Sequence, residues 1–143
     1  MPVELAYNTL EWGPTPNIKS MLAEIKEAGW DGWEVRQSLD WLGSAGRIND
    51  LVAEVDLPVA AVCGQRWGMS DDWPALELNK RRIEFASDVN ADAFVIMAPK
   101  RPPNRPPTRD EIASFAGFAE ELAAVGEDLG VPVTFHFHTG QLV

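Results

Sequence analysis

The stretch VELAYNTLEWGPTPN, residues 3–17, joins an apolar strand-like run to the turn that leaves it. A doubly wound nucleotide-binding sheet would place a glycine-rich phosphate turn at this first βα junction, and EWGPTPN has a single glycine. Similar apolar runs follow at GWEVRQ (32–37), VAAVCG (59–64), AFVIMAP (93–99) and VTFHF (133–137). Each of the four gaps between them carries a helical pattern. In the first, Ile18, Met21, Leu22 and Ile25 follow the i, i+3, i+4, i+7 spacing of a buried stripe, and Gly29 suits the stop. In the fourth, Thr108 and Glu111 form a capping-box pair, Ile112, Phe115, Ala116 and Ala119 read as the stripe, and Gly130 ends it. The second helix centres on Ile48, Leu51, Val52 and Val55. The third, after Trp73 and Pro74, runs through Leu78, Arg82, Ile83 and Ala86.

Repeated βα units imply a parallel sheet with right-handed crossovers, because parallel neighbours cannot be joined by tight turns. Two α/β architectures compete: a five-stranded doubly wound sheet, and a partial (β/α)8 TIM barrel of about the first five strands and four helices. A whole barrel needs roughly 250 residues, which favours the first, since the chain has 143. The first turn and a final strand with no helix after it favour the barrel. The expectation is one domain over residues 1–143, a barrel interrupted after strand five.

The connections leaving strands are long: EWGPTP, SLDWLGSAG, GQRWGMSDDWP and PKRPPNRPPT. Those entering strands, such as AGWD and LGVP, are short. The elaborated, functional face is therefore at the C-terminal ends of the strands.

A formal charge of −10 argues against nucleic acid or an anionic membrane as partner and leaves a small molecule as the expected one. The single cysteine, Cys63, cannot form an internal disulfide and reads as a small buried apolar residue. With no signal-peptide pattern at the start and no run of about eighteen apolar residues, a cytoplasmic location is expected.

Both histidines, His136 and His138, lie two apart in the last strand, so they share one face with Thr134 while Val133, Phe135 and Phe137 share the other. Imidazoles so spaced sit about 7 Å apart, near enough to ligate one divalent ion, although a metal site normally has at least three protein ligands. In GWEVRQ, Glu34 and Arg36 point opposite Trp33 and Val35. Facing a barrel interior, Glu34 must be paired, metal-bound or pKa-shifted, and an internal ion pair with Arg36 is the scaffolding alternative. Asn8 shares that interior at the end of the first strand, to orient a substrate hydroxyl or to satisfy backbone. Trp12, Trp41, Trp67 and Trp73 stand in or beside the long loops, as stacking faces for a sugar ring or as a hydrophobic lid. Lys100, Arg101, Arg105 and Arg109 form a basic patch after the fourth strand, a clamp for a substrate anion or a stiff solvated loop.

Taken in order, AGWDGWEVRQ, VAAVCG, ADAFVIMAP and VTFHFHTGQLV resemble the sugar phosphate isomerase/epimerase group with the xylose-isomerase-like TIM barrel, most of all its inosose dehydratase-like members. The resemblance covers the whole chain but only about five of that family's eight strands. It implies a divalent-metal-dependent isomerase, epimerase or dehydratase (a lyase) of carbohydrate metabolism, acting on a small sugar or cyclic polyol ketone through an enediolate, with Mn²⁺, Co²⁺ or Mg²⁺ bound. It implies His136 as metal ligand, His138 with Thr139 and Gly140 as an HxHxG form, and Glu34 as the strand-two glutamate beside the substrate. Glu34 and His138 are then the catalytic candidates, and Asn8, Trp12, Trp67 and Arg101 the substrate-binding ones. The ligands and base that the family carries on strands six to eight have no counterpart in these residues, so a complete metal centre is not expected. A half-barrel that binds a ligand without catalysis, or pairs with a copy of itself as a homo-oligomer, is the other reading.

Overall fold

A computed structural model describes residues 4–66, 68, 72–100, 102 and 104–137. Five strands, β1 (Ala6–Asn8), β2 (Gly32–Val35), β3 (Val59–Cys63), β4 (Ala93–Met97) and β5 (Val133–His136), form one parallel sheet in the order β1-β2-β3-β4-β5. That order decides between the two architectures. A doubly wound sheet reverses its strand order so that helices cover both faces, whereas right-handed crossovers that always advance in one direction put every helix on one face. The chain is an arc of a TIM barrel. Neighbouring strands pair in parallel throughout, and the β2–β3 register slips between Trp33 and Glu34.

The crossover helices are α1 (Ile18–Glu27), α3 (Ala45–Val55), α4 (Trp73–Asp88) and α5 (Arg109–Leu129), with one extra short turn of helix, α2 (Leu39–Leu42), on the loop after β2. Starts and stops follow local chemistry. Asn17, Ser44 and Asp72 accept from backbone N–H groups in the first turns of α1, α3 and α4, and Thr108 and Glu111 complete the expected capping box of α5. α1 buries the four stripe residues read from its sequence.

The phase of α5 differs from the expectation. Ile112 is 51% exposed and Ala116 is exposed, while Phe118, Leu122 and Gly126 are buried and Phe115, Ala119 and Val125 pack against the core. The true stripe runs one turn further along, through Phe115, Phe118, Ala119, Leu122, Val125 and Gly126. At the other end the helix lies so close to β5 that a Cβ on Gly126 would fall 2.4 Å from Val133 Cγ2.

The core lies between sheet and helices. Trp33 and Val35 of β2, Val62 of β3, and Phe94 and Ile96 of β4 meet α1, α3 and α4 there. The opposite, inner face carries Ala6 and Asn8, Glu34 and Arg36, Cys63, Met97, and Thr134 and His136. Of these Ala6, Asn8, Thr134 and His136 are exposed. On the outer side of β5, Phe135 and Phe137 are 47% and 56% exposed, because β5 is an edge strand and α5 covers only one flank of it. Among the described residues no helix is long and apolar enough to cross a membrane.

Candidate functional site

The C-terminal ends of β1, β2 and β3 bring three side chains together on the inner face. Asn8 pairs in register with Glu34. Its Oδ1 accepts from Leu10 N at 3.0 Å, capping the 3-10 turn Thr9–Trp12, and this leaves its Nδ2 to donate to Glu34 Oε1. Cys63, the last residue of β3, donates its thiol hydrogen to the same Oε1. One carboxylate oxygen is therefore anchored twice, while Oε2 has no hydrogen bond to any described residue. A half-buried carboxylate fixed by one oxygen and open at the other can accept a proton from a bound molecule.

The ion pair weighed for Glu34 and Arg36 does not form. Arg36 instead directs Nη1 at Met97 Sδ, 3.1 Å away on β4, reaching across β3 above Cys63. Burial, and next the hydrogen bond and charge of Glu34, push the Cys63 thiol up to about 12. The expectation of a small buried residue is met, with Cys63 2% exposed, and the fold adds an acceptor from 29 positions away. A thiol whose folded pKa is raised contributes stability that is intact below its unfolded value and lost as pH rises from near 9 toward 12. Two results follow. Native protein should leave Cys63 unreacted with a disulfide reagent at pH 8.5, while urea-unfolded protein titrates one thiol at once. Glu34→Gln should speed the native reaction, and equal native rates in both proteins would contradict the contact.

Behind these residues lies the framework that holds the strand ends. The four polar side chains that are buried among the described residues, Thr9, Gln37, Asn79 and Arg82, belong to it. Thr9 Oγ1 donates to Glu34 O at 2.8 Å and also contacts Gln37 Oε1, and Gln37 Nε2 donates to Thr9 O and Gly13 O. Arg82, from α4, donates through Nε to Cys63 O at 2.6 Å and through Nη1 to Gln37 O at 2.9 Å. Asn79, one turn earlier, brackets Gln65, accepting from its N–H and donating to its carbonyl. A continuous set of bonds thus ties the outgoing loops of β1, β2 and β3 together. Sequence reasoning missed Gln37 and Asn79; for Arg82 the signal was an arginine standing in the apolar stripe of its helix.

The remaining candidates scatter. His136 ends β5 on the inner face, beside Met97 in register. It lies three strand spacings from Glu34, on the order of 14 Å along the arc. His138, Trp67 and Arg101 fall outside the described residues. Trp12 packs its ring against the core, Trp41 donates Nε1 to Pro16 O at 3.0 Å, and Trp73 meets Phe118 edge-on at 5.4 Å. In the basic loop Arg105 is already engaged, making two 2.7 Å bonds to Glu111 that hold this carboxylate down at about 2. Among the described residues no three His, Cys, Asp or Glu side chains converge as metal ligands.

Neither a family profile nor a curated protein matches the sequence. Solved structures do. The apo form of the 3-keto-D-glucoside 4-epimerase YcjR from E. coli superposes with a TM-score of 0.75 at 21% identity, covering 94% of this chain and 56% of that one. An L-ribulose 3-epimerase gives 0.76 at 19% identity over 94% and 49% of the two chains. The protein IolI, with a zinc atom bound, gives 0.75 at 19% over 93% and 51%. The chain spans about half the length of the structures it matches. Over the shared part its fold is the one seen in these structures.

Proposed function

We propose that this chain is the N-terminal part, through strand five, of a single-domain TIM-barrel enzyme that isomerises, epimerises or dehydrates a small sugar or cyclic polyol ketone by moving a proton beside a carbonyl. The observation that supports it is Glu34, a carboxylate presented on the inner face with Oε1 tethered by Asn8 and Cys63 and Oε2 open. In this reading Oε2 takes the proton from the carbon next to the substrate carbonyl, and the electron pair left behind forms the enediolate. Return of a proton to either carbon gives an isomer or epimer, whereas loss of a neighbouring hydroxyl as water gives the dehydrated product. Asn8 orients the carboxylate, and Trp12, Trp67 and Arg101 belong to the proposal as contacts for the sugar.

A divalent ion belongs to the family resemblance, and IolI carries a zinc. The described residues do not by themselves fit one, because no three His, Cys, Asp or Glu side chains among them converge. No step above passes through a metal. His138 remains in the proposal as a second catalytic group from outside the described residues.

The test is exchange of substrate carbon-bound hydrogen with D2O, followed by NMR, for D-allulose, L-ribulose and an inosose, with and without Mn²⁺. In the protein that continues this chain through the remaining strands, Glu34→Gln should lower exchange at least about a hundredfold; absence of exchange by that protein with all three ketones sinks the reading. A second reading, a non-catalytic half-barrel that binds ligand or self-associates, is favoured by the exposed Phe135 and Phe137 and by the unpaired edges of β1 and β5. Sedimentation velocity separates the two, since self-association without exchange supports the second.

A further inference from the structure

Arg36 follows Glu34 by two residues on the inner face and is half-buried. Its guanidinium extends across β3 and spends Nη1 on Met97 Sδ, 3.1 Å away, a weak and neutral acceptor. None of the ion pairs among the described residues includes it. Nε and Nη2, the two donors along the other edge of the guanidinium, make no hydrogen bond. Neither is buried, since the buried side-chain atoms without a partner among the described residues are Trp33 Nε1 and Arg82 Nη2. A cation with two side-by-side donors is thus open to the inner face, in a chain whose formal charge is −10.

What surrounds Arg36 keeps it from being neutralised. The Cys63 thiol donates to Glu34 Oε1 and meets the Arg36 guanidinium on its other side, so base and cation share one face without pairing. Behind the strand ends the buried Arg82, whose bonds go to the carbonyls of Cys63 and Gln37, adds a second positive charge that is felt at Arg36. Arg82 itself does not reach a ligand. Two guanidiniums against one carboxylate make the ends of β2 and β3 locally positive, which favours negative charge that develops on a bound molecule.

We propose that Arg36 is the second catalytic group of this site: its free Nε–Nη2 edge donates to two neighbouring oxygens of an α-hydroxyketone, the carbonyl and the hydroxyl beside it. When Glu34 Oε2 takes the proton from the hydroxyl-bearing carbon, that C–H electron pair becomes the C=C bond. The C=O π pair moves onto the carbonyl oxygen, where Arg36 holds the charge until a proton returns. A planar guanidinium edge matches two oxygens lying side by side, so the substrate class is one that can present both on the same side. The carbonyl chemistry rests on the proton-transfer reading above; the capture of a planar anion with paired oxygens does not.

Two measurements on the protein that continues this chain through the remaining strands keep these apart. In hydrogen exchange with the three ketones, Arg36→Met should lower kcat about tenfold or more with KM changed less than about twofold, and Arg36→Lys should fall between it and the parent. The backbone N–H of Arg36, not its side chain, meets Thr9 and Gln37, so the urea midpoint of Arg36→Met should match that of the parent. Calorimetric titration of metal-stripped protein with oxalate, a planar anion with oxygens on adjacent carbons, needs no turnover. Oxalate should bind at one site, about tenfold or more weakly in Arg36→Met and more tightly in Glu34→Gln. Unchanged kcat in Arg36→Met beside a lost kcat in Glu34→Gln overturns the role of Arg36 and leaves the proton-transfer reading standing. Exchange absent throughout, with oxalate binding that depends on Arg36, removes that reading and upholds the anion site. No oxalate binding, or equal affinity in parent and Arg36→Met, overturns the proposal.

Discussion

Trp33→Ala should cost about 3–5 kcal/mol of folding stability, the range for removing a large buried aromatic side chain. Trp33 is fully buried on the helix side of β2, flanked in register by Tyr7 and Val59, and it is the largest wholly buried side chain among the described residues. Small neighbours cannot collapse into its place, because the strands that flank it are fixed by their ladders. Trp33→Phe is the informative companion. The indole Nε1–H is buried without a partner, and such a group costs about 1–3 kcal/mol while it stays unsatisfied. Deleting it together with part of the ring offsets much of the lost contact, so the Phe variant should unfold in urea close to the parent and far above the Ala variant. A Phe midpoint well below that of the parent would mean that the indole nitrogen carries no penalty.

Gly126→Ala should destabilise by about 2 kcal/mol even though alanine is the better helix former. In mid-helix the exchange ordinarily gains about 1 kcal/mol. Here the added Cβ would lie 2.4 Å from Val133 Cγ2 and 2.6 Å from the carbonyl oxygen of Val131. The second contact is backbone, and that backbone is held by the bond from Val131 N to Gly126 O at 2.8 Å, so helix and strand must part. Hydrogen exchange at β5 should rise with the loss. Gly117, two and a half turns earlier in α5, has nothing within 4 Å of the same added atom. Gly117→Ala should therefore gain what Gly126→Ala forfeits, and a stabilised Gly126→Ala would refute the close packing.

Much of this fold is readable in the residues. The βα alternation, the caps at Thr108 and Gly130 and the stripe of α1 are local signals, and each reappears in the structure. The choice of barrel over doubly wound sheet rested on the glycine-poor first turn, and the strand order agrees. What local pattern could not give was phase and partnership. α5 has apolar residues on several faces, so the stripe chosen from Ile112 onward missed Phe118 and Leu122, and only the position of the sheet selects among them. Glu34 was legible as an inward carboxylate, but its partners Asn8 and Cys63 come from 26 and 29 positions away. The bonds of Arg82 to Gln37 and Cys63 span 45 and 19 positions, and no spacing rule announces them.

The one-sided placement of the helices has an electrical consequence. A closed barrel shields its lumen, so a carboxylate inside works against the weak screening of a dry chamber. The inner face of the described sheet carries the exposed residues Ala6, Asn8, Thr134 and His136, and at such positions countercharges fade within roughly 8 Å at physiological salt. Glu34 is half-buried between Asn8 and Cys63, so its charge is screened less than an exposed one, and whatever excludes water from that face strengthens its field without touching the residue itself.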